Sequence, residues 1–191
     1  MLLTESVTQM LKQWSAGDES ALERLMPIIY DELRRQAAIY LQSERDEQTL
    51  QATALVHEAF MDILPLKNIE WKSRAHFINM VALTMRRILV QHARKRKAIK
   101  RDFRLKVPLS QAENSTREPE FDLVVLDEAL QKFAEDYPRQ HSVVELKFFG
   151  GLDIEEISQV MQAMGVQTSP RTVERDWAFA RAWLHGALTN D

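Results

Sequence analysis

The chain of 191 residues contains no cysteine, which excludes disulfides, thiolate metal sites and a cysteine nucleophile. Its five glycines, at positions 17, 150, 151, 165 and 186, are too few and too scattered for a phosphate-cradling GxGxxG or GxxxxGK loop. The five histidines are scattered too. His57-Glu58 opens like a zinc-protease helix, but Met61 stands where the second histidine would be needed, so neither a metal nor another cofactor is expected. No apolar run approaches the roughly 20 residues that span a bilayer, and MLLTESVTQM lacks a basic leader before an apolar core. A cytoplasmic protein without membrane insertion is expected. There is also no convergent carboxylate pair, nucleophile or cofactor loop, so the chain is not expected to be an enzyme. No segment alternates like a strand, and the fold class is all-α.

What is present is segregated charge. Between Arg86 and Lys106 stand ten Lys or Arg against one acid, Asp102, a local charge of +9 in a chain of net charge -3. A cationic stripe on an acidic body steers toward a polyanion, and nucleic acid is the first reading. A solvated basic helix end is the alternative that charge alone leaves open.

The apolar spacing predicts helices in order. Val7, Met10, Leu11 and Trp14 form a short stripe, and Gly17-Asp18 ends it and caps the next helix. Leu22 to Tyr40 keeps helical period around the misfit Pro27, with Arg34, Arg35 and Gln36 toward the outside. Ala52 to Leu64 follows and stops at Pro65. Pro65 to Arg74 reads as a loop that exposes Ile69 and Trp71 between charges, the aromatic being either a stacking platform for bases or a cover for the core. Ser73 is placed to cap a long helix that carries Phe77, Val81, Met85, Ile88 and Leu89 into the basic stretch.

Arg101 to Glu120 has no sustained period and reads as a flexible linker. A second domain then starts near Asp122, with a helix up to Asp136 and another from Pro138 to Phe149, stopped by Gly150-Gly151. Asp153 and Glu156 form a capping box, and Ser169-Pro170 opens the last helix. That helix turns Val173, Trp177, Ala180, Leu184 and Leu188 inward and Arg171, Arg175, Ala178 and Ala182 outward. The pair predicts a helix-turn-helix, with Arg171, Thr172, Glu174 and Arg175 facing base edges and phosphates, against the plainer reading of a helical hairpin with a charged face.

The order of these features resembles a bacterial RNA polymerase sigma factor of the extracytoplasmic-function (ECF) group in the sigma-70 family. The segments that carry the likeness are YDELRRQA (30–37), TALVHEAF (53–60), WKSRAHF (71–77), MRRILVQHARKR (85–96), VVELKFFGGLDIEEIS (143–158) and SPRTVERDWAFARAWL (169–184). The resemblance implies region 2 over residues 1–100, a linker over 101–121, and region 4 over 122–191. It implies docking on the β′ clamp helices of core RNA polymerase through the helix holding Leu55, Glu58, Phe60 and Asp62, with the β flap as a further contact. It places Asn68, Trp71, Lys72, Arg74, His76 and Phe77 around the flipped, unpaired base of the −10 element and Arg86, Arg87, Arg94 and Arg96 along its backbone. Arg171, Thr172, Glu174 and Arg175 would read the −35 element. An anti-sigma factor is a further partner to consider.

Two departures stand out. Family members carry acids before and at the start of the docking helix, where this chain has Gln51-Ala52-Thr53-Ala54. A phosphate on Thr53, or secondly Thr49, would restore about -1.5 to -2 charges at a helix N-terminus, so activation by a Ser/Thr kinase is one expectation and an ordinary N-cap role for Thr53 the other. The second departure is MQAMGVQTSP (161–170), about four residues longer than the usual connection, through either a longer first helix or a bulged turn. A stand-alone helix-turn-helix regulator is the rival function; it would leave 71–77 and the basic helix idle.

Overall fold

Asp18 accepts a hydrogen bond from the Ser20 amide, and Gly17 turns the chain at φ 100°, so α1 (Leu2–Ser15) folds back against α2 (Glu19–Tyr40). The computed structural model describes residues 2–41, 51–66, 69–99, 106–108 and 120–189. α3 (Ala52–Ile63) and α4 (Arg74–Ile99) complete the first half. Its core is built from the expected stripes, including Leu11, Leu25, Leu33, Val56, Phe77 and Met85. Ser73 caps α4 as its position suggested: its Oγ accepts from the His76 amide at 3.1 Å.

α5 (Leu123–Asp136) starts at Asp122, whose carboxylate accepts from the Val124 amide. α6 (Pro138–Val144) has proline in its first turn and passes into a π-helical turn, Glu145–Phe149. α7 (Ile154–Ala163) begins at the capping box, with both the Asp153 and the Glu156 hydrogen bonds formed. α8 (Pro170–Thr189) opens on Ser169, whose Oγ accepts from the Thr172 amide at 3.3 Å. The all-α class holds. No helix among the described residues is long and apolar enough to cross a membrane.

Three expectations change. The linker is not wholly without structure, because β1 (Lys106–Pro108) pairs antiparallel with β2 (Glu120–Asp122), a short ladder that leads into α5. Gln36 lies buried rather than outside, and its amide donates to the Phe149 carbonyl at 2.8 Å. The basic end of α4 is not wholly solvated either, since Val90 and Ala93 are buried in one apolar cluster that runs from α1–α4 into α5, the π turn and α8. A smaller cluster around Val143, Leu152, Ile157 and Val173 holds α7 and α8 together, and Ala75 of α4 packs on its edge.

Candidate nucleic-acid interface

The helix-turn-helix is anchored from within. Val173, Ala180 and Leu184 of α8 have no exposed surface, while Arg171, Glu174 and Arg175 on its leading turns are exposed and Thr172 is half-buried. Arg139 of α6 grips Asp176 on the inner side through two hydrogen bonds of 2.7 and 2.8 Å. The long connection resolves as a bulged turn, not a longer first helix. α7 stops at Ala163, Gly165 adopts φ 83°, and the Gln162 amide donates to the Thr168 carbonyl at 2.8 Å, which holds the turn closed. The exposed leading turns of α8 are therefore presented on a fixed support.

The loop before α4 differs from its expected form. Trp71 is 2% exposed, stacked on Trp14 with ring centroids 6.0 Å apart and set edge-on to Phe77 at 5.0 Å. Phe77 has no exposed surface. Neither ring is an open stacking platform, and Ile69 is half-buried, its carbonyl accepting from the Ser15 hydroxyl at 2.8 Å. Of the two readings open for Trp71, the structure bears out the cover for the core; the partner that takes it in, Trp14, lies on a helix remote in sequence. Asn68 lies outside the described residues. Lys72 remains exposed beside Glu70 at 2.6 Å, and this ammonium holds the Glu70 carboxyl below its usual range. His76 is half-buried, its pKa pushed below the ordinary value first by burial and then by Lys72. Arg74 pairs with Glu32 of α2. Behind the loop lies a cavity of about 610 Å³ walled by Trp14, Leu22, Leu66 and Trp71, with Glu19 and Glu23.

Of the arginines assigned to the DNA backbone, Arg87 and Arg94 are exposed and Arg96 is half-buried. Arg87 meets Asp62 at 2.9 Å, an exposed pair worth at most about 1 kcal/mol and readily exchanged for phosphate. Arg86 is not available in this arrangement: its side chain is 11% exposed, bonded to Glu145 and, at 2.6 Å, to Asp127.

α3, the helix expected to dock on polymerase, also sorts differently from expectation. Leu55 and Phe60 are core residues, 0% and 6% exposed, so they support α3 from inside. Glu58 and Asp62 are exposed, and between them stands Met61 at 68%, which the sequence reading passed over. An apolar residue off the buried stripe was the available signal. Leu66, 50% exposed, lies just beyond the helix end. Thr53 is not an N-cap: Gln51 holds that position without a side-chain hydrogen bond, and no acid occupies the first turn. Thr49 lies outside the described residues.

Two capped helices joined by a closed turn, braced from within and set beside a long basic helix, define an all-helical protein with a helix-turn-helix. The family model for the ECF sigma factor matches residues 4–190, and the chain belongs to that family. Its role is accordingly in transcription initiation, with core RNA polymerase and promoter DNA as partners. No curated protein and no solved structure matches the chain.

Proposed function

We propose that this sigma factor reads a −35 element through Arg171, Thr172, Glu174 and Arg175, and opens the −10 element with the loop and first turns of α4. The observation that carries the reading is the sorting of α8, whose leading basic turns are exposed while its other face is fixed in the core. Lys72, Arg74 and His76, with Asn68, hold the unpaired strand; Trp71 and Phe77 shape the wall beneath it. Extruding a base costs a few kcal/mol, which the protein returns by enclosing that base. The cavity walled by Trp14 and Trp71 is the place for it. Arg87, Arg94 and Arg96, and Arg86 once exposed, follow the phosphates. Core polymerase docks on the outer face of α3 through Glu58, Met61 and Asp62.

The finer proposal is a kinase switch. The first turn of α3 has no acid and no side-chain cap among the described residues. A phosphate on Thr53, the second residue of the helix, would add about -1.5 to -2 charges where the helix dipole favours an anion and where a basic partner would dock. Transcription with core polymerase tests both levels by comparing unmodified, kinase-treated and Thr53→Ala protein. Promoter-dependent RNA from the kinase-treated protein and little from the other two is expected. Full activity of the unmodified protein sinks the switch, and DNA binding without copurifying polymerase would favour the stand-alone regulator.

A further inference from the structure

A cavity of about 910 Å³ lies along α4, walled on its far side by α5, α6, the π turn and the turn after α7. Its size is that of a small-molecule site, for which roughly 300 to 1,000 Å³ is usual. The lining is sorted along the helix. Asn79, Leu83, Arg87 and Arg94 fall on one side of α4, spread over roughly 22 Å at about 1.5 Å per residue. The Asn79 end is apolar: Leu83, Leu146, Met161, Met164 and Val166 wall it, and Ala75, one turn before Asn79, packs on the same cluster as Leu146 and Met161. Met164 is 60% exposed where α7 ends, so apolar surface stands open there.

The Arg94 end is cationic. Arg87 and Arg94 keep 61% and 49% of their side chains in solvent, and their contacts, with Asp62 at 2.9 Å and Asp127 at 3.3 Å, are already screened by water. Arg86 between them is committed to Asp127 and Glu145. A further polar atom belongs to the apolar end. Asn79 lines the cavity, and its Oδ1 is buried with no hydrogen-bond partner among the described residues. An unpaired buried acceptor is costly, so it marks a place for a donor.

These features define the chemistry of an occupant. Flexible Met and Leu side chains suit an alkyl chain, and no Phe, Tyr or Trp among the described residues lines the cavity to stack on a nucleobase. Asp127, Glu135 and Glu145 balance Arg86, Arg87 and Arg94 in the lining, so a second negative charge on the ligand would meet carboxylates. One anionic group, one apolar chain and one donor remain.

We propose that this cavity binds a hydroxylated acyl carboxylate, its head between Arg87 and Arg94, its chain over Leu83, Met161 and Met164, and its hydroxyl donating to Asn79 Oδ1. The site goes beyond the sigma reading and does not rest on it, because its chemistry uses neither DNA nor polymerase.

Calorimetric titration of the whole chain with ω-hydroxydodecanoate and with dodecanoate, each below its micelle-forming concentration, tests the site. Wild type should bind the hydroxylated probe about tenfold more tightly, the effect of one buried hydrogen bond. Asn79→Ala should lose that preference and bind the two alike. Arg94→Gln should weaken both about tenfold by removing the charged contact to the head. Met164→Ser should weaken both about fivefold by removing apolar cover. These last two side chains are largely in solvent, so their replacement leaves the fold intact. Ile28→Ser removes an apolar side chain, 41% exposed, from α2 outside the cavity, and should leave both affinities unchanged. Absence of binding, equal affinity of wild type for the two probes, a preference kept in Asn79→Ala, or equal losses in Ile28→Ser and Met164→Ser overturns the site.

Discussion

Arg139 holds Asp176 in a two-point grip, Nε donating to Oδ2 at 2.7 Å and Nη2 to Oδ1 at 2.8 Å, with the Gln140 amide adding a third bond at 3.1 Å. Asp176 is 4% exposed and Arg139 is 41% exposed, so the arginine reaches in from the surface to neutralise a buried acid on α8. Arg139→Ala should cost about 2 kcal/mol, below the roughly 3 to 5 of a fully buried pair because water reaches the arginine side. Asp176→Asn keeps the shape and should cost less, about 1 kcal/mol. Denaturant titration ranks the two, and the idea fails if Arg139→Ala unfolds at the wild-type midpoint.

Burial of Trp71 changes what its removal reports. Truncation of a packed tryptophan leaves a cavity, and Trp71→Ala should lower stability by about 3 to 5 kcal/mol, with Phe77→Ala in the same range. A promoter-opening defect in either variant would then be indistinguishable from unfolding. Lys72→Ala is the cleaner probe, because that side chain is exposed and its ion pair with Glu70 is a surface pair. Permanganate footprinting should show reduced opening for Lys72→Ala at unchanged thermal midpoint; a lowered midpoint would remove Lys72 as a strand contact.

The sequence made most of the helices legible because their starts carried local chemistry: Asp18, Ser73, Asp122, Asp153 and Ser169 all cap where they stand. The helix-turn-helix was legible for the same reason, as caps and apolar period agreed. Two kinds of feature were not. Trp71 and Gln36 are positioned by partners distant in the chain, and no local spacing announces that Trp14 lies opposite Trp71 or Phe149 opposite Gln36. The packing of the second half on α4 depends on Asp127 and Glu145, which in the sequence are merely two acids among 28.

Met61 offers the sharpest test of docking. It is 68% exposed on the outer face of α3, flanked by the acids Glu58 and Asp62. Placing an exposed methionine in an interface buries apolar surface worth about 1 to 2 kcal/mol, so Met61→Ala should weaken assembly with core polymerase roughly tenfold. Because the side chain packs little in the free protein, the thermal midpoint should not move. Leu55→Ala should do the reverse, lowering stability while any folded fraction still assembles normally. Fluorescence titration against core enzyme beside calorimetry separates the pair, and unaltered assembly of Met61→Ala would move the docking face elsewhere.

His76 gives a prediction in pH. Its folded-state pKa lies below 6.5, first because the ring is partly buried and second because the Lys72 ammonium is near. Above 6.5 the ring is neutral in both the folded and the unfolded chain, and its contribution to stability is complete. As pH falls through 6.5 the unfolded chain takes up the proton first, so stability declines until the lower folded pKa is passed, after which nothing more is lost. His76→Gln removes this proton uptake. The difference in denaturation midpoint between wild type and His76→Gln should therefore shift against wild type between about pH 7.5 and about pH 5.5. Lys72→Ala should shrink the shift without abolishing it, because burial is the larger cause. A pH-independent difference between wild type and His76→Gln would mean that the ring titrates as it does in water, with no field from the loop acting on it.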